Sequence, residues 1–236
     1  MSQGEIEKGL WSTEDLFQIG AQLFNLTFTS EMGFGAKDLP RLARFHTGRR
    51  GGPDAMQCVS CHWRGGPAGA GDGADSAYLD GDGDAQSSAL ARNPIPLAGA
   101  GLLEILAGEM NRELAKQKTA LLAKALTTGE EQKGSLSAKG VSFGVLLARP
   151  DGVVDVTEVE GLDPDLVIKP FGWKGNIETI REAVEDGLLV HHGMQSTHLV
   201  SHASADRLGP FGGADPDGDG VTDEIREGQT SALTLF

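Results

Sequence analysis

The stretch Gln57-Cys58-Val59-Ser60-Cys61-His62-Trp63 decides how the rest of the chain is interpreted. Cys58 and Cys61 are the only cysteines among 236 residues, and His62 directly follows the second. This C-x-x-C-H pattern is typical of covalent haem c attachment. Two thiols on one tight turn can each add to a vinyl group of haem, and the next imidazole then supplies the proximal iron ligand. The sequence therefore predicts one covalent haem c on Cys58 and Cys61, with His62 as proximal ligand.

Other uses of a C-x-x-C pair fit the sequence less well. A redox dithiol is expected near a strand-then-helix pattern, whereas Gly51-Gly52-Pro53-Asp54 precedes this pair. A structural zinc site needs about four ligands, and no further cysteine is present to complete a familiar set. A disulfide between residues this close closes a very short loop and adds little stability. The dithiol and zinc interpretations stay open as the alternatives to haem.

The composition indicates an acidic globular protein with a sizeable core and much loop. Hydrophobic residues make up 39% of the chain, while 34 glycines and 6% aromatic residues point to extensive loops. A formal charge of −14 argues against nucleic acid and anionic membrane surfaces as partners, because these bind clustered Lys and Arg. The charge suits a basic redox partner, although a solvated acidic surface also explains it.

Neither a membrane span nor a leader is visible in the sequence. No apolar run approaches the roughly 20 residues that a membrane helix needs. The N-terminus, Met1-Ser2-Gln3-Gly4-Glu5, lacks the basic and apolar regions of a signal peptide. Haem c is normally attached outside the cytoplasm, so the motif favours a periplasmic or extracellular location. The N-terminus is therefore expected to be that of a processed or re-engineered form, and the alternative is an export route that the sequence does not show.

Helical periodicity marks three segments, and alternation marks one hairpin. The helices are predicted at residues 12–24 with Ser12 as N-cap, at 101–126, and at 176–188 with Asn176 as N-cap. Apolar residues at helical spacing predict that one face of the second helix lies in the core, opposite a solvated polar face. The apolar residues are Leu102, Leu103, Ile105, Leu106, Leu114, Leu121, Leu122 and Leu126. Residues 141–147 and 153–157 flank a Pro-Asp-Gly turn and predict a β-hairpin.

These elements predict one haem c domain over residues 1–236. The fold class is mainly α: a cytochrome c-like helical haem domain with a small β insertion near residues 140–160 and long Gly-rich loops. Met110 is expected in the core rather than at the iron. A locally basic region ahead of the motif offers partners for haem propionates, and His46 within it is a further candidate ligand. Its arginines are Arg41, Arg44, Arg49 and Arg50.

Candidate distal ligands cluster beyond the third helix. Four of the six histidines lie between residues 191 and 202, in a segment that begins His191-His192-Gly193-Met194-Gln195. The order of preference for the second axial position is His192, His191, Met194 and His198. A histidine can also perform acid–base chemistry, so His191 and His192 are the candidate catalytic residues.

A second cofactor is suggested by residues 215–227. The segment Asp215-Pro216-Asp217-Gly218-Asp219-Gly220-Val221-Thr222-Asp223 matches much of a calcium loop, with candidate ligands Asp215, Asp217, Asp219, Val221 and Asp223. The twelfth position is Arg226, where an EF-hand needs a bidentate glutamate, so Glu224 or Glu227 would have to substitute. An earlier acidic run, residues 79–84, is interpreted as a solvated loop.

Taken in order, several stretches resemble the di-haem oxidoreductases related to bacterial cytochrome c peroxidase, a family also described as thiol-oxidoreductase-like. The matching stretches are residues 22–25 with 28–29, 58–62, 93–97 with 101–104, 170–175, 191–195, and 217–221 running to 232–236. The resemblance implies that this chain is the first-haem half, because family members carry a second haem c in a further half. They reduce peroxide at the N-terminal haem with electrons relayed from the other. The family tends to place an acidic residue at the position of His191, and the histidine here favours electron transfer.

Three functions follow from these patterns. The first is a haem c electron-transfer protein or subunit that exchanges electrons with other redox proteins or with a second haem-bearing chain. The second is a cytochrome c peroxidase-like oxidoreductase half that needs a second haem from a partner. The third is a structural subunit that haem and calcium stabilise.

Overall fold

A computed structural model describes residues 1–35, 55–73, 77–79, 90–172, 175–202, 208 and 211–236. Met1–Ala98 together with Arg181–Phe236 form one compact unit, and Gly99–Ile180 form a second. Several residues singled out in the sequence lie outside the described part: Arg41, Arg44, His46, Arg49, Arg50, Asp80, Asp82, Asp84, Trp173 and Lys174.

Helices predominate over strands in the described part of the chain. The helices are α1 (Gln3–Glu7), α2 (Thr13–Phe24), α3 (Ala100–Thr128), α4 (Ile180–Gly187), α5 (Thr197–His202) and α6 (Glu227–Leu235). The strands are β1 (Ala77–Leu79), β2 (Leu90–Arg92), β3 (Gln132–Ala138), β4 (Val141–Ala148) and β5 (Val154–Asp155). β1 pairs with β2, and β3, β4 and β5 form an antiparallel sheet in that order. The coarse prediction of a mainly helical fold with a small hairpin agrees with this architecture.

The prediction of a first helix with Ser12 as N-cap is confirmed by α2. The Ser12 hydroxyl accepts a hydrogen bond from the Asp15 N–H at 3.1 Å, and the Asp15 carboxylate accepts one from the Ser12 N–H at 3.1 Å. This capping box satisfies backbone donors that the first turn would leave unpaired. Leu23 and Phe24, at the other end of α2, are buried in the core of the first unit.

The core of the first unit gathers residues from distant parts of the chain. Its buried members are Leu23, Phe24, Phe28, Phe34, Leu188, Met194, Ile225, Ala232 and Leu233. Cys58 and Val59 pack against this core as partly buried residues. The first cysteine of the C-x-x-C-H motif is therefore held at the edge of the apolar interior.

In the second unit α3 packs with the three-stranded sheet. The predicted hairpin is confirmed: Leu147 lies opposite Asp155, Ala148 lies opposite Val154, and the Val153 carbonyl accepts a 2.8 Å hydrogen bond from the Arg149 N–H. β3 was not predicted, because its sequence Gln-Lys-Gly-Ser-Leu-Ser-Ala offers few β-branched or aromatic residues. Met110 is buried in this unit, as expected of a core methionine.

The buried face of α3 agrees with the predicted one at Leu114 and differs from it in the first turns of the helix. Leu102, Leu103 and Ile105 are 73%, 53% and 62% exposed, and Leu106 is 45% exposed. At 100° per residue these four positions fall within one arc of about 160°, so their spacing does give an apolar face. The core of the second unit packs against α3 further along, at Met110 and Leu114. The buried residues of α3 are Ala107, Met110, Leu114 and Ala125.

The third predicted helix begins later than expected. Phe171 and Ile177 exchange backbone hydrogen bonds of 3.1 Å in both directions, so the chain around Asn176 forms a bridge and Asn176 is not an N-cap. α4 begins at Ile180 and continues into a turn of π-helix, Leu188–His192. Among the described residues, no helix combines the length and the apolar character that crossing a bilayer requires.

Candidate cofactor site

The C-x-x-C-H motif folds as one tight turn. Cys58–Ser60 form a single turn of 3₁₀ helix, and the Cys58 carbonyl accepts hydrogen bonds from the N–H groups of Cys61 at 3.2 Å and His62 at 3.1 Å. The two thiols and the imidazole therefore extend from one compact piece of backbone. This is the local arrangement that attachment of one planar cofactor requires.

His62 is oriented by a backbone carbonyl. Its Nδ1 lies 2.9 Å from the carbonyl oxygen of Ile95. Because a carbonyl only accepts, Nδ1 carries the hydrogen and Nε2 keeps its lone pair. Pro94 and Pro96 favour an extended backbone at Ile95, and a 3.0 Å bond from the Gly71 N–H to the Pro94 carbonyl helps to fix it. Metal-binding histidines are commonly oriented by a bond of this kind.

The charge state of His62 also suits a metal ligand. Burial lowers the pKa of His62, and the nearby His191 lowers it further by like-charge repulsion, against the opposing hydrogen bonds to Ile95 and Gly69. A lowered pKa keeps the imidazole neutral to lower pH. Only the neutral ring offers a lone pair to iron.

His192 has the same tautomer as His62. It ends the π-helical turn, is only 4% exposed, and donates its Nδ1 hydrogen to the Ala55 carbonyl over 2.7 Å. Its Nε2 therefore carries a lone pair, and this atom lies 3.7 Å from Sγ of Cys58. The structure thus brings the first-ranked distal candidate directly to the first cysteine of the motif.

Two phenylalanines border the two histidines: Phe24 ends α2, and Phe28 lies just beyond that helix. The ring of Phe24 lies 6.4 Å from that of His62, and the ring of Phe28 meets His192 edge-on at 5.2 Å. Both phenylalanines belong to the core of the first unit, so each imidazole lies beside apolar surface.

The backbone of the His192 segment is tied to two other parts of the chain. The Ala55 N–H donates to the His191 carbonyl at 3.2 Å, and the Gly35 N–H donates to the His192 carbonyl at 2.9 Å. Gly193 has a φ of +67°, and a Cβ there would lie 2.8 Å from the Gly35 oxygen. A glycine is therefore required both by the backbone conformation and by the close approach.

The remaining distal candidates have other surroundings. Met194 is fully buried in the core of the first unit, and its N–H donates to the Leu188 carbonyl. His198 lies on α5, where Nδ1 contacts the Glu185 carboxylate at 3.1 Å and the ring lies 4.5 Å from that of His202. Nδ1 of His198 therefore connects α5 to α4 through Glu185.

The alternatives to haem gain little from the geometry. Burial raises the pKa of the Cys58 thiol to about 12, whereas a reactive dithiol needs a lowered pKa. Neither Cys58 nor Cys61 forms a disulfide. Within the described ranges, one group of three metal-ligating side chains has its ligand atoms within 4.8 Å of one another, namely Asp215, Asp217 and Asp219. This group includes neither cysteine nor His62.

No protein-family model matches this chain, and no curated protein or solved structure matches it. The resemblance to di-haem oxidoreductases therefore stays a prediction from the sequence motifs, and the chemistry of the site is argued from its own residues.

Sequence reasoning missed the two carbonyl groups that orient the histidines. Every residue has a carbonyl, so Ala55 carries no signal of this role in its side chain. For Ile95 the flanking prolines are the one local mark, since they hold an extended segment whose carbonyls are not used by a helix.

Proposed function

We propose that this protein is a haem c electron-transfer protein or subunit that passes electrons to or from other redox chains. The supporting observation is that His62 and His192 each donate their Nδ1 hydrogen to a backbone carbonyl. Both Nε2 atoms then carry lone pairs at a site that also holds the two cysteines. Oriented, neutral imidazoles are the form of histidine that binds iron.

Each residue of the site has a proposed role in haem attachment or in iron ligation. Cys58 and Cys61 would hold the haem, His62 would be its proximal ligand, and His192 is the first choice for the distal position. His191 and Met194 follow it. Haem iron, when bound, supplies one-electron redox chemistry. If two imidazoles occupy both axial positions, none remains for a substrate, so electron transfer is favoured over catalysis.

The partner is proposed from charge. A protein with a formal charge of −14 attracts a basic redox protein over a long range and so raises the association rate. A second haem-bearing chain is the other proposed partner, and a periplasmic or extracellular location goes with haem c. Nucleic acid does not suit this charge.

The test is spectroscopic and uses the full chain produced in a host that attaches haem c. We expect one covalent haem per chain and a low-spin ferric spectrum with two histidine ligands. His192→Ala should convert the iron to high spin, whereas His198→Ala, a matched control on the next helix, should leave the spectrum unchanged. Lack of covalent haem would refute the proposal, and so would a high-spin ferric spectrum of the unmodified protein.

A peroxidase-like half is the second candidate function. The observation that favours it is the buried His192 ring, whose Nε2 is fixed as a proton acceptor and could serve acid–base chemistry with His191. This function requires a second haem from a partner. A high-spin ferric spectrum, together with a spectral change on adding peroxide and turnover with reduced cytochrome c, would replace the first proposal with this one.

A further inference from the structure

Residues 215–221 form a tight acidic loop. The Asp215 carboxylate accepts hydrogen bonds from the N–H groups of Gly218 at 2.9 Å and Gly220 at 3.1 Å. The Asp219 carboxylate accepts one from the Val221 N–H at 2.7 Å. These bonds wrap the backbone around the side chain of Asp217.

Asp217 is buried, and none of the residues that the structure describes donates a hydrogen bond to its carboxylate. Asp217 is 1% exposed, and the second oxygen of Asp219 likewise has no donor among the described residues. One oxygen from each of Asp215, Asp217 and Asp219 lies within 4.8 Å of the other two. A buried carboxylate surrounded by carboxylates is unfavourable unless a cation balances the charge. The unpaired oxygens therefore point to a missing positive partner.

Glu224 follows the loop and is anchored outside it. Its Oε2 accepts a 2.6 Å hydrogen bond from the Gln195 N–H. This bond joins the end of the acidic segment to Gln195.

We propose that Asp215, Asp217 and Asp219 form a binding site for one Ca²⁺ ion. All three groups supply oxygen, which is the donor that calcium prefers, and calcium accepts six to eight oxygen ligands in flexible geometry. Mg²⁺ demands strict octahedral geometry and is usually held by one or two carboxylates. The site differs from the proposed haem site in its residues and its chemistry.

The other candidate ligands predicted from the sequence lie apart from these three aspartates or make other contacts. Asp223 is exposed, has a φ of +54°, and lies outside the group of three aspartates. Glu227 is paired with Arg181 at 3.3 Å, and Oε2 of Glu224 is bonded to the Gln195 N–H. Val221 donates its N–H to Asp219.

The experiment is calorimetric titration of the chelator-treated full chain with Ca²⁺. Asp217→Asn removes the innermost charge with almost no change in shape, and Asp223→Asn is the matched control, because it removes the same charge from an exposed position in the same loop. We expect one site in the unmodified protein, at least about 100-fold weaker binding in D217N, and binding within about threefold of the original in D223N.

Thermal unfolding with and without Ca²⁺ provides a second measurement that does not depend on heat of binding. Calcium should raise the Tm of the unmodified protein and of D223N, but not that of D217N, which should itself remain folded because it loses a buried charge. The proposal is overturned if calcium neither binds nor raises the Tm, if D217N responds like the unmodified protein, or if D223N loses as much as D217N. Equal binding of Mg²⁺ would overturn the assignment to calcium.

Discussion

Nε2 of His192 lies 3.7 Å from Sγ of Cys58, although 134 positions separate these residues in the sequence. The contact joins the end of a π-helical turn to the first cysteine of the C-x-x-C-H motif. Since Nδ1 of His192 is bound to the Ala55 carbonyl, the ring can neither flip nor change tautomer without losing that 2.7 Å hydrogen bond. The pair thus fixes which nitrogen of His192 faces the candidate cofactor site.

Replacing Gly193 by Ala should destabilise the protein. The added Cβ meets the Gly35 backbone at 2.8 Å at a φ of +67°, so we expect a loss of about 3 kcal/mol in the free energy of unfolding. Gly213→Ala is the matched control, because its φ is +71° and its Cβ meets nothing within 4 Å. It should lose about 1 kcal/mol. Chemical denaturation measures both, and equal losses would show that the approach to Gly35 is unimportant.

Cys58 in haem-free protein should resist alkylation. With its pKa raised from 9.0 to about 12 by burial, its thiolate fraction at pH 8 falls by roughly 1,000-fold. We expect iodoacetamide to modify Cys58 at least about 100-fold more slowly in the native protein than in urea, as followed by mass spectrometry of the tryptic peptide. Comparable rates would show that the thiol is not buried.

The raised pKa of Cys58 predicts that stability decreases at high pH. A thiol whose pKa rises on folding favours the folded state while it stays protonated in both states, below about pH 9. The free energy of unfolding of the haem-free protein should therefore decrease as the pH rises from 9 towards 12. Cys58→Ser should flatten this decrease, and an unchanged slope would assign it to other groups.

Truncating leucines at two places on α3 should separate the buried face from the exposed one. Leu114 is 1% exposed, so Leu114→Ala should cost about 3 kcal/mol of stability. Leu102 is 73% exposed, so Leu102→Ala should change stability by no more than about 0.5 kcal/mol. Urea unfolding measures both values, and similar losses would show that Leu102 is buried as Leu114 is.

Removing calcium should loosen the segment around Gln195. The Gln195 N–H donates to Glu224, and the Thr197 N–H donates to the Ile225 carbonyl at 2.9 Å, so the residues that follow the proposed site are bonded to this segment. Chelation should speed hydrogen exchange of residues 194–197 by about tenfold, while the Val145 amide in the second unit stays unchanged. Asp217→Asn should abolish the response to chelator. If chelation left the exchange rates of residues 194–197 unaltered, metal binding would have no effect on the stability of this segment.

Local signals in the sequence were sufficient for some elements and not for others. Ser12 and Asp15 form the expected capping box, and the Pro-Asp-Gly turn lies between paired strands, because both features depend on residues that are adjacent in the chain. β3 escaped detection because its strand character comes from pairing with β4. Leu102 was assigned to the wrong environment, since periodicity cannot say which stretch of a long helix another element covers.

The candidate site shows the same division. Cys58, Cys61 and His62 are marked by their spacing, and their proposed use as haem ligands stays a prediction from that motif. Spacing could not choose between His191 and His192, because the choice depends on a π-helical turn and on the position of Ala55. The acidic loop was visible in the sequence, but the burial of Asp217 depends on tertiary packing.

Gln195 forms hydrogen bonds with two other parts of the chain. Its N–H donates to Glu224, and its side-chain amide donates to the Leu208 carbonyl at 2.6 Å. His192 precedes it by less than one turn of helix. Linkage between two binding sites is reciprocal. Under the two proposals, if binding of His192 to iron changes the affinity for calcium, then calcium binding must change the affinity of His192 for iron by the same factor. The affinity of iron for imidazole depends on the oxidation state of the iron, so the calcium affinity of the loop would differ between the oxidised and the reduced protein.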